Sequence, residues 1–262
     1  MGKDRLGRHS EREGTPLDRA ACSNLLNGDV AAAETEPSEG LAAALNELGL
    51  WCKQAGRYTE ALEHYRHARG LLDGEGRLHR EDLATIDHNL AGVHHASGRY
   101  AEGEVLSRRG LAIRLAGPRP DTEFVARDLV ALAGLVLGQG RWSEPEALYA
   151  EGIALLESHP GDQRLELAVA FNGLGVLHGE QGDYLEAANW LEDSATLKRQ
   201  VLGPSHPDLA LTLRNLAVVR DRRGSPGPPG GRATTVRQGS PEEQHSRPHP
   251  EAKCPSPRFA SP

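Results

Sequence analysis

The chain has 262 residues with a formal net charge of -7; 38% of it is hydrophobic, and it carries 30 glycines and 17 prolines. That balance predicts a packed part and an unfolded part, and its lack of concentrated lysine and arginine excludes a nucleic-acid partner. Cys22, Cys52 and Cys254 form no CxxC pair, which points to a reducing, cytoplasmic setting rather than a disulfide framework or zinc cluster. No stretch approaches the ~20 apolar residues that span a bilayer, and no apolar run follows Met1 to Leu6, so neither a membrane segment nor a secretory signal is expected.

Residues 1–38 begin polar and charged, and Leu17 to Ala33 reads as a short helix or a degenerate leading cap. From residue 39 the chain repeats. Gly56-Arg57-Tyr58 returns as Gly98-Arg99-Tyr100, Gly140-Arg141-Trp142 and Gly182-Asp183-Tyr184, each step being 42 residues. Gly224 keeps the phase before Ser225-Pro226 breaks it. Ala42, Ala84, Ala126, Ala168 and Ala210 form a second column, and Leu48, Leu90, Leu132, Leu174 and Leu216 a third. A fixed period of this size marks a solenoid. The repeats run over about 39–80, 81–122, 123–164 and 165–206, with a partial fifth over 207–223.

Each unit predicts two helices. Leu41, Leu45, Leu48 and Cys52 make one apolar stripe at helical spacing, and Tyr58, Ala61, Tyr65, Ala68, Leu71 and Leu72 make another. Gly56 is placed to end the first helix in the left-handed conformation. Glu60, Glu102, Glu144 and Glu186 fall in the first turn of the second helices, where the helix dipole favours a carboxylate. Pro145 falls in the same turn, where proline is expected to be tolerated. Small residues at Gly49, Ala91, Ala133, Gly175 and Ala217, and at Ala68, Gly110, Gly152 and Ser194, predict close helix approach. Stacked hairpins then share one core.

Arg220, Asp221, Arg222 and Arg223 make the end of the partial repeat polar, which suits a cap; a chain shortened relative to a longer parent is the alternative. Residues 224–262 hold nine prolines and five glycines, and ordering such a segment costs more than its few apolar side chains return. It is read as a disordered tail, in which Ser225, Ser240, Ser256 and Ser261 each precede proline and are candidate phosphorylation sites.

These columns resemble the tetratricopeptide repeat: Leu48-Gly49, Gly56-Arg57-Tyr58, Ala61, Tyr65 and Ala68 match its pattern in the first copy. The long period is similar to the repeats of kinesin light chains and nephrocystin-3. Leu202-Gly203-Pro204-Ser205-His206-Pro207-Asp208, followed by Asn215-Leu216-Ala217, carries that likeness best. The resemblance implies an all-α, right-handed superhelical solenoid whose first helices line a concave groove. By phase, Asn46, His88, Asn172 and Arg214 face it in one ring, with Asn89 and Asn215 beside them. Lys53 and His95 lie one helical step further along, and Arg127 one turn earlier.

An asparagine amide both donates to and accepts from a peptide backbone, and related repeats use it so; a plain water-facing surface would hold the same residues. Lys53, Arg127 and Arg214 favour an acidic motif. Val130, Ala131 and Gly173, at the carboxylate-clamp columns, disfavour a receptor for chaperone tails. No catalytic constellation is found. Gly173 to Gly179 lies within a helical repeat, and His64, His67, His94 and His95 make no HExxH spacing and read as solvated helix-face residues. No cofactor or metal is therefore expected. The sequence reads as a non-enzymatic adaptor or scaffold that binds a protein or peptide. A structural subunit self-associating through the partial fifth repeat is the second reading, and a cryptic enzyme the third.

Overall fold

The computed structural model describes residues 38–73 and 80–224. The segment Leu17 to Ala33, the tail beyond Gly224 and its Ser-Pro sites lie outside the described residues. The described residues form nine helices: α1 (Ser38–Gln54), α2 (Tyr58–Asp73), α3 (Arg80–Ala96), α4 (Tyr100–Leu115), α5 (Thr122–Gly138), α6 (Pro145–Ser158), α7 (Arg164–Gln181), α8 (Tyr184–Leu202) and α9 (Pro207–Gly224). Among the described residues there is no strand. The helices pair as hairpins α1–α2, α3–α4, α5–α6 and α7–α8, with α9 as an unpaired first helix.

The hairpin turn is set by glycine. Gly56, Gly98, Gly140 and Gly182 have φ of 75°, 71°, 73° and 91°, the left-handed region that a side chain makes costly. The next residue closes the turn: the N–H groups of Arg57, Arg99 and Asp183 donate to the carbonyls of Cys52, His94 and His178 at 2.8, 2.8 and 2.9 Å.

Each hairpin closes on a column of small residues. A Cβ on Gly110 or Gly152 would lie 3.1 or 3.2 Å from the carbonyl oxygens of Ala84 and Ala126. In the fourth repeat, the Ser194 hydroxyl donates to the equivalent carbonyl of Ala168 at 2.6 Å. The second helix thus presses against the backbone of the first, and Ala42, Ala84, Ala126 and Ala168 are completely buried beneath it. The leucine column from Leu48 to Leu216 is buried in all five copies. Consecutive first helices pack directly on one another (α1 on α3, α3 on α5, α5 on α7, α7 on α9), while consecutive second helices are splayed apart. That asymmetry bends the stack into a superhelix with the first helices on its inner wall.

One element departs from the sequence reading. α2, α4 and α8 begin at Tyr58, Tyr100 and Tyr184, but α6 begins three residues late, at Pro145. The N–H groups of Ala61, Gly103 and Ala187 each donate to the residue four earlier, at 3.0, 3.1 and 2.9 Å. Pro145 holds the same column and has no N–H, and its ring would press on that carbonyl. Pro145 thus stands at the first position of α6, where its missing N–H is tolerated as expected, and the helix start moves up to it. Glu144 becomes the capping residue rather than part of the first turn, and Trp142 is left outside the helix, 46% exposed.

Pro145→Ala is expected to extend α6 back to Trp142 and tuck that ring against the stack, as Tyr100 lies against Gly138. Acrylamide quenching of tryptophan fluorescence should then fall, and unchanged quenching would count against this explanation.

Candidate peptide-binding groove

The inner wall is built from α1, α3, α5, α7 and α9, and the candidate residues on it separate into two classes. The asparagines largely stitch the wall together. Asn89 donates to Asn46 Oδ1 at 2.8 Å, and Asn215 donates to Asn172 Oδ1 at 3.4 Å. Asn46 and Asn215 are buried, while Asn89 and Asn172 are half-buried. The phase that faces the groove also faces the neighbouring first helix, so an amide there can be consumed between repeats. His88 behaves in the same way: its Nδ1 lies 2.7 Å from Asp128 Oδ1.

The second class is half-buried or exposed. Lys53 is half-buried, and its Nζ rests over α3, 2.6 Å from where a Cβ on Gly92 would be. A side chain at position 92 would displace the ammonium from this place. Burial pushes Lys53 below the usual lysine value, Asp208 on α9 opposes that shift, and Arg127 on α5 adds to it. These three residues, from the first, third and fifth first helices, therefore share one electrostatic environment across the groove. Arg127 packs over Phe124 with 5.9 Å to the ring centroid. It lies 3.8 Å from Glu123 and 3.9 Å from Glu166. His95 meets Tyr100 edge-on at 5.4 Å, and Arg214 is exposed on α9.

Beneath the wall lies a pattern that the sequence reading did not use. Leu72, Arg114, Leu156 and Lys198 occupy one column of the second helices, and all four are buried. Fourteen residues on, in the next first helix, stand Ile86, Asp128, Ala170 and Thr212, also buried. The joints alternate: leucine meets an apolar partner, and a cation meets a polar one. Arg114 Nε donates to Asp128 at 2.9 Å, and its other nitrogens reach Glu81 at 2.9 Å and Thr85 at 3.0 Å. Lys198 donates to Thr212 Oγ1 at 2.9 Å, and its burial holds its pKa below the usual lysine value. Each polar joint extends to the groove wall, through His88 in one case and through the Thr212 hydroxyl, which donates to Asn172 at 3.2 Å, in the other. The column was visible in the 42-residue period as two long cations among leucines.

His94 corrects the reading of solvated histidines. It is buried, it occupies the column of Cys52 and Val136, and burial is the main cause of its lowered pKa. His64 is half-buried, with its pKa also lowered chiefly by burial, whereas His67 is exposed. Among the described residues no group of three or more histidine, cysteine or acidic side chains could hold a metal, and no helix is long and apolar enough to cross a membrane.

Arg114→Leu alone should cost about 3–5 kcal/mol, because it takes from buried Asp128 its guanidinium partner and leaves it only His88. Adding Asp128→Ala, which copies the Leu156–Ala170 joint, should recover most of that loss in urea unfolding. A double variant no better than the single one would refute the alternating-joint account.

The sequence matches the tetratricopeptide repeat family over residues 82–158 and 160–227, and a second form of the same repeat over residues 41–69. No curated protein matches the chain. Among solved structures, it is similar to BtubC (BKLC) from P. vanneervenii, with a TM-score of 0.61 and 23% identity, covering 80% of this chain and 85% of that one. At that identity the likeness concerns the fold. With the family match covering more than half of the sequence, and with hairpins that stack as the repeat requires, the chain belongs to the tetratricopeptide repeat family.

Proposed function

We propose that the protein is a non-enzymatic adaptor that holds an acidic peptide segment of a partner protein in its concave groove. Tetratricopeptide repeats generally mediate protein–protein interaction, and the family is typically non-enzymatic. The observation that carries the finer reading is the Lys53 ammonium, which lies over Gly92 with Arg127 and Asp208 in its electrostatic reach. A half-buried ammonium is costly without a counter-charge. A peptide carboxylate between Lys53 and Arg127 would supply one, while Asp208 would reject a second acidic group close by. Asn89 and Asn172, each half-buried, keep amide surface at the groove wall for the peptide backbone. Asn46 and Asn215 support that wall from within. His88, His95 and Arg214 complete the proposed lining, with Arg214, on α9, at the C-terminal end of that lining.

The test is peptide-array binding with Lys53→Glu and Arg127→Glu. Each should weaken acidic peptides at least about tenfold, equivalent to the loss of one charge-assisted hydrogen bond, and leave basic controls unaffected. Unchanged acidic binding in both variants would remove the groove assignment.

The same lysine predicts a pH dependence. With its pKa below the ordinary 10.5, folded Lys53 binds fewer protons than the unfolded chain at alkaline pH, so its contribution to stability rises with pH through that window. A bound carboxylate reverses the bias, so affinity for an acidic peptide should fall as pH climbs through the window, with proton uptake on binding. Calorimetry in buffers of different ionisation enthalpy measures that uptake, and its absence in wild type would argue against Lys53 as the contact.

A further inference from the structure

The last helix presents a face that every other first helix keeps covered. Ala42, Ala84, Ala126 and Ala168 are fully buried under their own second helices, but Ala210 is exposed. Leu45 and Leu129 are 6% and 4% exposed, whereas Leu213, in the same column, is 40% exposed. Gly49, Ala91, Ala133 and Gly175 are buried, and Ala217 is exposed. Ala210, Leu213 and Ala217 lie at i, i+3 and i+7, one stripe of α9, with small residues flanking a leucine. It is the same surface on which α2, α4, α6 and α8 pack in the preceding hairpins.

The sequence after α9 departs from the repeat where a second helix would begin. Pro226, Pro228 and Pro229 stand where the repeats carry Tyr58, Glu60 and Ala61. Pro229 falls in the column whose N–H donates to the hairpin turn, the column where Pro145 already shortens α6.

The end of α9 beside the stripe is basic: Arg220 and Arg223 are exposed there, against Asp221. Arg220 occupies the column of Cys52 and His178. In the first and fourth hairpins that column meets the residue just before the second helix: Arg57 donates to Cys52 Sγ at 3.1 Å, and Asp183 lies 4.0 Å from His178. An incoming helix would therefore set its N-terminal turn beside Arg220, where an acidic residue serves both the guanidinium and its own helix dipole. Arg220 also reaches Glu192 of α8 at 2.7 Å, which holds it at this edge.

We propose that α9 is a docking site for a helix of a partner protein, an amphipathic helix with an apolar stripe and an acidic N-terminal turn that packs as the second helix of the fifth hairpin. The surface lies on a different face of α9 from the groove, so the two binding activities fail independently.

The chain contains a suitable probe. A fluorescein-labelled peptide with the sequence of residues 183–202 carries Asp183 and Glu186 at its start and packs on the equivalent face of α7 within the protein. On the intact 262-residue chain it should bind saturably by fluorescence anisotropy. Leu213→Asp and Ala217→Arg should each weaken binding about tenfold or more with circular dichroism unchanged, and Lys53→Glu should leave it unaltered. A peptide with Asp183→Lys and Glu186→Lys should bind more weakly to wild type. No saturable binding, equal affinity in both α9 variants, or equal affinity of the lysine-bearing peptide would overturn the proposal. So would concentration-dependent dimerisation in sedimentation that Leu213→Asp abolishes, since a second copy would then be the natural cover.

Discussion

The structure depends on the approach of one backbone to another. At Ala68, Gly110, Gly152 and Ser194 the second helix has no side chain large enough to hold it away from the first, and its backbone comes down on the carbonyl column marked by Ala84, Ala126 and Ala168. That contact lets a hairpin of modest hydrophobicity bury its alanines completely. In doing so it aligns the leucine column of each repeat with the next. The curvature of the stack, and so the existence of a concave wall, follows because first helices meet their successors and second helices do not.

On this uniform frame the joints are made distinct. Two use Leu72–Ile86 and Leu156–Ala170, and two use Arg114–Asp128 and Lys198–Thr212. A polar pair loses its partners if the stack slips, whereas an apolar pair tolerates many registers. Alternation thus gives a repetitive chain a way to tell one repeat from the next. The polar joints also extend into the wall through His88 and Asn172, so the residues that set the register also fix the groove lining.

Most of the fold was legible because a helix–helix contact that recurs must recur in sequence: the turn glycines, the alanines and the leucines stand in unbroken columns. Less of the groove could be read. Phase assigned Asn46 and Asn215 to the inner side, but the same phase serves the neighbouring helix, and one sequence does not say which neighbour takes the amide. His94 was readable as buried from its column mates Cys52 and Val136. Pro145 was readable as a first-turn residue, but the later helix start it sets required counting it against Ala61, Gly103 and Ala187, whose N–H groups bond to the turn. The reach of Lys53 toward Asp208 depends on superhelical curvature, which no local pattern encodes.

The most direct test of this account compares two glycines within second helices. Gly110 lies at the close approach, where a Cβ would sit 3.1 Å from the Ala84 carbonyl; a Cβ on Gly70 would have nothing within 4 Å. In urea unfolding, Gly110→Leu should cost about 3 kcal/mol or more by overpacking, and Gly70→Leu should be neutral or mildly stabilising through helix propensity. Equal effects at the two sites would contradict the claim that backbone approach at the small-residue column holds the hairpins together.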